Sequence, residues 1–548
     1  MKKILIMTLI AATGALTSCR QTQQADLIIH NALIYTVNDS FETVSSMAIR
    51  DGIILATGTD EAITKNYRSE EVVDMGGKPV YPGFYDAHCH FNGYAANLRR
   101  ADLVGTGSFE EVGERLVKHQ EEFPSDWVLG RGWDQNDWPG QQFPKRDLLD
   151  RLFPDKPVYL IRIDGHAAVV NSAALEIASI NDQTTVIGGE IIRDNGRITG
   201  VLVDNAMDLV SRHIPEMEEN EVTRVLLEAQ EDCFAVGLTS VADAGLDYET
   251  VMLMDSLHQT GDLKMRIYAM LTPTQENFEN FINRGLYKTD HLNVRSVKLF
   301  ADGALGSRGA LMLEPYSDAP GKSGLQVSST EYLTDICRKS YEAGYQVETH
   351  CIGDGANRLM LNIYKEILGG KNDRRWRIEH AQIVHPDDFD LFGQFSIIPS
   401  IQTTHATSDM YWAADRVGPE RIKGAYAYRQ LMEQNGWIPN GSDFPIEHIN
   451  PIFGFYAAFA RMDQSGYPEG GWQMENALTR EQALRAMTIW AARSCFEENE
   501  RGSLEPGKMA DFVVLEKDLM ATDALQVPKI QVLETWINGK KVFERCKH

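Results

Sequence analysis

Between residues 80 and 443, short β-branched runs alternate with longer stretches of helical periodicity, and this alternation limits the possible folds more than any other property of the chain. Candidate strands fall at 80–90, 237–243, 264–271, 294–301, 346–351, 375–384, 395–402 and 438–443. Repeated βα units imply a parallel sheet with helices outside it, and eight such strands suit a closed (β/α)8 barrel better than an open sheet. Residues of about 95–230 break the rhythm. That interval is too long for a connection, so it is expected to be an insertion after barrel strand 1 with a structure of its own.

The two ends have a different texture. Apolar strand-like runs occur at 26–29, 33–37 and 47–50, and Asp51-Gly52 separates the last of these from another at 53–56, a strong hairpin signal. Runs at 511–515 and 532–537 precede Asn538-Gly539, and a further one follows it. Both ends are therefore expected to build one discontinuous β domain, 25–81 plus 495–548, around a barrel at 82–494.

The chain has 53 Lys plus Arg against 78 Asp plus Glu, a formal charge of −25. Such a surface repels phosphate, which argues against nucleic acid as a partner. Seven cysteines without a CxxC pair argue against a disulfide scaffold or a thiolate zinc site. Residues 1–18 carry Lys2, Lys3 and an apolar run at 4–16, the layout of a secretory signal too short for a membrane span. Two readings follow: cleavage near Ser18 with Cys19 incidental, or lipidation of Cys19, since Leu16-Thr17-Ser18-Cys19 resembles the bacterial lipobox. The second predicts an extracytoplasmic protein anchored to a bacterial membrane through Cys19, with 19–24 as a tether.

The chemistry-bearing residues gather at predicted strand ends. His88 and His90 close the first strand, and i, i+2 spacing puts both on one face. His350, His380 and Asp443 close later strands. Strand carboxyl ends converge at one mouth of a barrel, where active sites of this fold sit. Four histidines and a carboxylate there match the nitrogen and oxygen donors that zinc prefers. Lys298 lies on another strand of the same barrel; it either pairs with an acid such as Asp302 or has reacted with carbon dioxide to give an anionic, bridging carbamate. In the insertion, Trp133 and Trp138 read as loop aromatics able to line a pocket, whereas Trp127 reads as core. His166 is a candidate for orienting the substrate or its oxyanion, Arg308 for meeting an anionic group, and His405 for facing the pocket.

The stretch Pro82-Gly83-Phe84-Tyr85-Asp86-Ala87-His88-Cys89-His90, the late Gly441-Ser442-Asp443, and residues 502–511 (GSLEPGKMAD) resemble the metal-dependent amidohydrolase superfamily. Asp164-Gly165-His166, residues 298–308 (KLFADGALGSR) and residues 441–445 (GSDFP) resemble its branch that includes N-substituted formamide deformylase, amidohydrolase family 3. The resemblance implies a β-sandwich built from both ends, beside the barrel. It also implies one metal held by His88, His90 and Asp443, a second held by His350 and His380, and a carboxylated Lys298 between them, with one or two divalent ions, zinc foremost. The implied activity is hydrolysis of a C–N bond, amide or formamide, in a small molecule by metal-activated hydroxide, with Asp443 as general base. A deaminase of the same superfamily and an inactive substrate-binding lipoprotein are the alternatives. The expected partners are a small-molecule substrate and a membrane; association with further copies of the chain is left open.

Overall fold

A computed structural model describes residues 22–546. Cys19 and the leader lie outside the described residues. The central sheet runs through seven parallel strands in sequence order: Phe84–Cys89, Leu238–Leu246, Arg266–Leu271, Leu292–Phe300, Gln346–Cys351, Arg377–His380 and Ile398–Ser400. The eighth expected strand forms only a single parallel bridge, Ile401 with Asn440. It nevertheless closes the ring, because this segment bonds to both neighbours. Ile401 N–H donates to Pro439 O at 3.1 Å and Gly441 N–H to Ile401 O at 2.9 Å; on the other side Asp443 N–H donates to His88 O at 2.8 Å.

Helices such as Glu219–Ala235, Thr330–Ala343 and Asp354–Leu368 cover the outside of the barrel, their buried faces joining one continuous apolar core with the strands. Ser329 caps the second by accepting from Tyr332 N–H, and Gly344, at φ +79°, ends it in the left-handed conformation that glycine adopts without strain.

Strands from both ends of the chain share a sheet. Phe512–Leu515 pairs antiparallel with Pro79–Pro82 and with Val532–Ile537, and a second sheet of four strands packs on it through Leu27, Ile29, Met47, Ile49, Phe512 and Trp536. This β domain is tied to the barrel by a buried ion pair. Arg266, opening the third barrel strand, grips Asp511 with Nε at 2.6 Å and Nη2 at 2.9 Å, and Nη2 also reaches Asn538 Oδ1 at 2.7 Å.

The insertion forms a six-stranded mixed sheet spanning Ala101–Asp102 to Arg197–Asp204. Its two faces bury separate clusters, and here the expectation for two tryptophans is corrected. Trp133 lies on the strand Val128–Trp133, is fully buried and donates Nε1–H to Leu160 O at 2.8 Å; Trp138 is buried beside it and donates to Thr106 O at 2.8 Å. Both belong to the insertion's core, as Trp127 does, because flanking Gly and Asp residues shape the backbone there while the indoles turn inward.

Burial works against the Asp511 charge, but the charge and hydrogen bonds of Arg266 outweigh it and hold the carboxyl below its ordinary range. A depressed carboxylate contributes its full stability above the unfolded pKa, near pH 4, and loses it as pH falls through the folded pKa. Replacing Asp511 with Asn leaves Arg266 buried without its counter-ion and is expected to cost about 3–5 kcal/mol at neutral pH. Urea midpoints measured from neutral to acid pH will show the gap between wild type and variant closing below about pH 4; a constant gap would count against the ion pair as the cause.

Candidate metal centre

The barrel closure decides which residues meet. Gly441 runs so close to the first strand that a Cβ on it would lie 2.6 Å from His88 O. Asp86 reinforces the seam by accepting from Ser442 N–H at 3.0 Å and Ser442 Oγ–H at 2.6 Å. Asp443, in left-handed backbone at φ +64°, is thereby turned inward onto the two histidines of the first strand. Its Oδ1 lies 3.3 Å from His90 Nε2 and 3.5 Å from His88 Nε2.

The far nitrogen of each ring fixes which lone pair faces this point. His88 Nδ1 sits 2.8 Å from Glu379 Oε2, His90 Nδ1 3.2 Å from Ala244 O, and His380 Nδ1 2.7 Å from Gln402 Oε1. Each partner is an oxygen acceptor on the Nδ1 side, so each ring is held with Nε2 turned toward this point. Asp443 Oδ1 is buried and accepts no hydrogen bond. Two imidazole Nε2 atoms and an orphaned carboxylate oxygen thus converge on one point, a donor set that fits a divalent cation of the zinc type.

A second group of three donors consists of His380, His405 and Asp443, with His405 Nε2 3.3 Å from Asp443 Oδ2 and its Nδ1 3.2 Å from Glu447 Oε1. His405, expected at the pocket wall, therefore stands among the candidate ligands. His350 is in neither group of three. It stacks edge-on against His380, with ring centroids 4.6 Å apart, while its Nε2 faces Gly303 O at 3.5 Å. Burial pushes His90, His350 and His380 below the ordinary histidine range, which favours the neutral, ligating form.

Lys298 is buried with Nζ 3.2 Å from His88 Nε2. The expected alternative of a pair with Asp302 is not formed. Asp302 instead accepts N–H bonds of 2.8–3.0 Å from Leu311, Ile352 and Gly353 and so anchors two loops at the mouth. No carboxylate lies within 4.0 Å of Lys298 Nζ among the described residues, and burial lowers its pKa. His166 reaches the same mouth from the insertion. Its Nδ1 lies 2.8 Å from Asp204 Oδ1, and its ring is 4.8 Å from that of His350. Arg308 is engaged elsewhere: Nη2 binds Asp318 Oδ2 at 2.8 Å, a carboxylate it shares with Arg416.

Sequence reasoning missed the layer beneath the centre. Arg377, Glu379 and Glu348 are fully buried inside the barrel, where branched apolar residues ordinarily predominate. Arg377 Nε meets Glu379 Oε1 at 2.9 Å, its Nη2 contacts Glu348, and its Nη1 donates to Ala87 O at 3.1 Å. Register places Lys298, Glu348 and Arg377 side by side on adjacent strands. Burial works against the Glu379 charge, but Arg377 and His88 outweigh it and keep the carboxylate ionised. The missed signal was the Arg377-Ile378-Glu379 alternation: two charges on one face of a strand packed on both sides must find partners inside. Phe300, exposed beside His350 at 5.6 Å between centroids, was missed as well.

Glu379→Gln keeps an acceptor for His88 Nδ1–H but removes the negative charge that strengthens the Nε2 lone pair. Metal affinity is expected to fall about 10–100-fold, read by competition with a chromophoric chelator, while the circular dichroism spectrum stays that of wild type. Unchanged affinity would remove Glu379 from the support of the centre.

The amidohydrolase family (Amidohydro_3) matches residues 71–543. The chain is 32% identical to a putative amidohydrolase, YtcJ, of Bacillus subtilis (strain 168), over 94% of this chain and 99% of that one. It is 26% identical to N-substituted formamide deformylase of Arthrobacter pascens, over 96% and 99% respectively. Among solved structures, an uncharacterized metal-dependent hydrolase from Pyrococcus horikoshii OT3 superposes with a TM-score of 0.75 at 29% identity, covering 91% of this chain and 99% of that one. A buried cluster of histidines and aspartate at the closing seam of a parallel barrel, found in a chain matched over most of its length, makes this protein a member of the amidohydrolase family, a metal-dependent hydrolase fold.

Proposed function

We propose that the protein hydrolyses a C–N bond, amide or formamide, in a small molecule. The observation that carries this reading is the convergence of His88 Nε2, His90 Nε2 and the orphaned Asp443 Oδ1 beside the buried Lys298 amine. The similarity to N-substituted formamide deformylase supports the choice of bond. A divalent cation held by His88, His90 and Asp443, with a second position at His380 and His405, supplies a Lewis acid that polarises a carbonyl and acidifies water. Zinc suits these donors.

The remaining roles belong to the chain. Asp443, held well below the ordinary carboxylate range by His88 and His90 against the opposing effect of burial, is ionised and able to take a proton from water at Oδ2. It returns that proton to the leaving nitrogen. His166, steadied by Asp204, presents Nε2 toward the mouth and orients the substrate carbonyl. Lys298, an amine without a carboxylate partner, would add through Nζ to carbon dioxide, forming an N–C bond at the expense of one C=O π bond and releasing one proton; the resulting anionic carbamate would supply oxygen donors beside His88.

Asp443→Asn is expected to abolish hydrolysis of a panel of N-formyl and N-acyl amines while the protein retains its metal, measured by elemental analysis and turnover side by side. Peptide mapping by mass spectrometry under neutral conditions should find the mass of one carbon dioxide on the peptide containing Lys298. An active Asn variant would overturn the role of Asp443, and uniform inactivity of the metal-loaded wild type on the panel would overturn the C–N reading.

We further infer that Cys19 is lipidated and holds the enzyme on the outer side of a bacterial membrane, as the lipobox-like Leu16-Thr17-Ser18-Cys19 suggests. Full-length protein should partition into the detergent phase of a Triton X-114 separation and Cys19→Ser into the aqueous phase. Aqueous partition of both would remove the anchor.

A further inference from the structure

Arg100 and Arg131 stand apart from most of the buried arginines around the site. Arg162 is bound to Asp134 and Asp164, Arg377 to two glutamates, and Arg308 with Arg416 to Asp318. Arg99, next in sequence to Arg100, holds Glu221 and Glu228. For Arg100 and Arg131, no carboxylate lies within 4.0 Å among the described residues. Arg100 Nη1 donates to Asn97 Oδ1 at 2.9 Å. Arg131 Nη2 donates to Ile163 O at 3.2 Å, and its buried Nε–H has no acceptor. In a chain with 25 more acidic than basic groups, two half-buried guanidiniums without a counter-ion are conspicuous, because each keeps a charge that no carboxylate of the fold matches.

Their place explains what could complete them. Arg131 sits near the end of the insertion strand Val128–Trp133, in register with Asp102 on one side and Ile161 on the other. Arg100 immediately precedes the strand Ala101–Asp102. The turn Asp164-Gly165-His166 passes over the Arg131 guanidinium; a Cβ at Gly165 would stand 3.5 Å from Nη2. One residue on, His166 stacks against His350 at the barrel mouth. Burial first, then repulsion by Arg100, brings Arg131 down to about 10, and the charges of Asp164 and Asp443 oppose the fall. The pairing of Ala101 with Gly130 and of Asp102 with Arg131 sets Arg100 and Arg131 at adjoining strands.

We propose that Arg131 and Arg100 form the recognition site for a carboxylate on the substrate, placed where the insertion meets the barrel mouth, so that the enzyme acts on acidic amides. The planar guanidinium fork matches two carboxylate oxygens, and the ligand supplies the counter-charge that the fold withholds. The substrate then lies with its carboxylate on the insertion and its scissile carbonyl at His88, His90 and Asp443. The inference rests on the amide-hydrolase reading for the reaction, but not for the anion site itself.

The test compares N-acetyl and N-formyl derivatives of glycine, β-alanine and 4-aminobutyrate with the matching terminal amides, which lack the negative charge. Metal-loaded wild type is expected to favour the acid over its neutral partner by at least about tenfold in kcat/KM at one spacer length. In Arg131→Met and, separately, in Arg100→Met that ratio should fall toward one, and Arg131→Lys should restore part of it. Absence of any acid preference in wild type, or its persistence in both Met variants, overturns the proposal. If no amide is hydrolysed, the same pairs are compared as ligands by titration calorimetry. Charge-dependent binding lost in the Met variants then supports the anion site while the amide reading falls, and equal binding of acid and amide overturns the anion site.

Discussion

The site depends on one seam. The segment around Gly441 is too short and irregular to make a full strand, yet it bonds to the seventh strand through Ile401 and to the first through His88. Only a residue without a side chain fits at that crossing, because any Cβ at Gly441 collides with the His88 backbone. Closing the barrel this way turns Asp443 onto His88 and His90, 355 and 353 positions earlier in the chain. The strained left-handed backbone at Asp443, shared by His380 at φ +72°, persists because the surrounding hydrogen bonds over-determine it.

Beneath the seam, the barrel interior is polar where most are apolar. Glu348, Arg377 and Glu379 form a buried ionic layer, and replacing such a layer by apolar residues would be neutral or favourable for stability alone. What the layer supplies instead is orientation: Glu379 fixes the His88 tautomer, and Arg377 keeps Glu379 ionised and tethers the first strand through Ala87 O. The same logic holds at the rim, where Gln402, Ala244 O and Asp204 each hold one ring nitrogen of a histidine so that the other faces the cavity.

The insertion is a working part of the mouth as well as an extra domain. Its own core takes the tryptophans, while its strand ends deliver His166, Arg131 and the Asp164 turn to the rim. Asp204 joins the two bodies: its carboxylate holds His166 and fills the space left by Gly303 and Gly309 on the barrel loop. Barrel and insertion are thus separable in sequence but meet at the mouth, where the rings of His166 and His350 lie 4.8 Å apart.

By itself the sequence determined the barrel fold, and it set His88, His90, His350, His380 and Asp443 at the ends of predicted strands. These follow from hydrophobic periodicity and from side-chain alternation, which are local properties. It did not determine which groups face which. That Trp133 turns inward, that Arg308 is claimed by Asp318, that Asp302 serves backbone N–H groups instead of Lys298, and that His405 joins His380 and Asp443 were all decided by contacts between residues far apart in the chain. Glu379 shows the reason most plainly. Its neighbour His380 was legible as the end of a strand, but the role of Glu379 exists only once closure has set His88 2.8 Å away. A residue type and a spacing specify a donor or an acceptor; the partner is chosen by the tertiary structure, because hydrogen bonds and ion pairs depend on positions that only the closed barrel fixes.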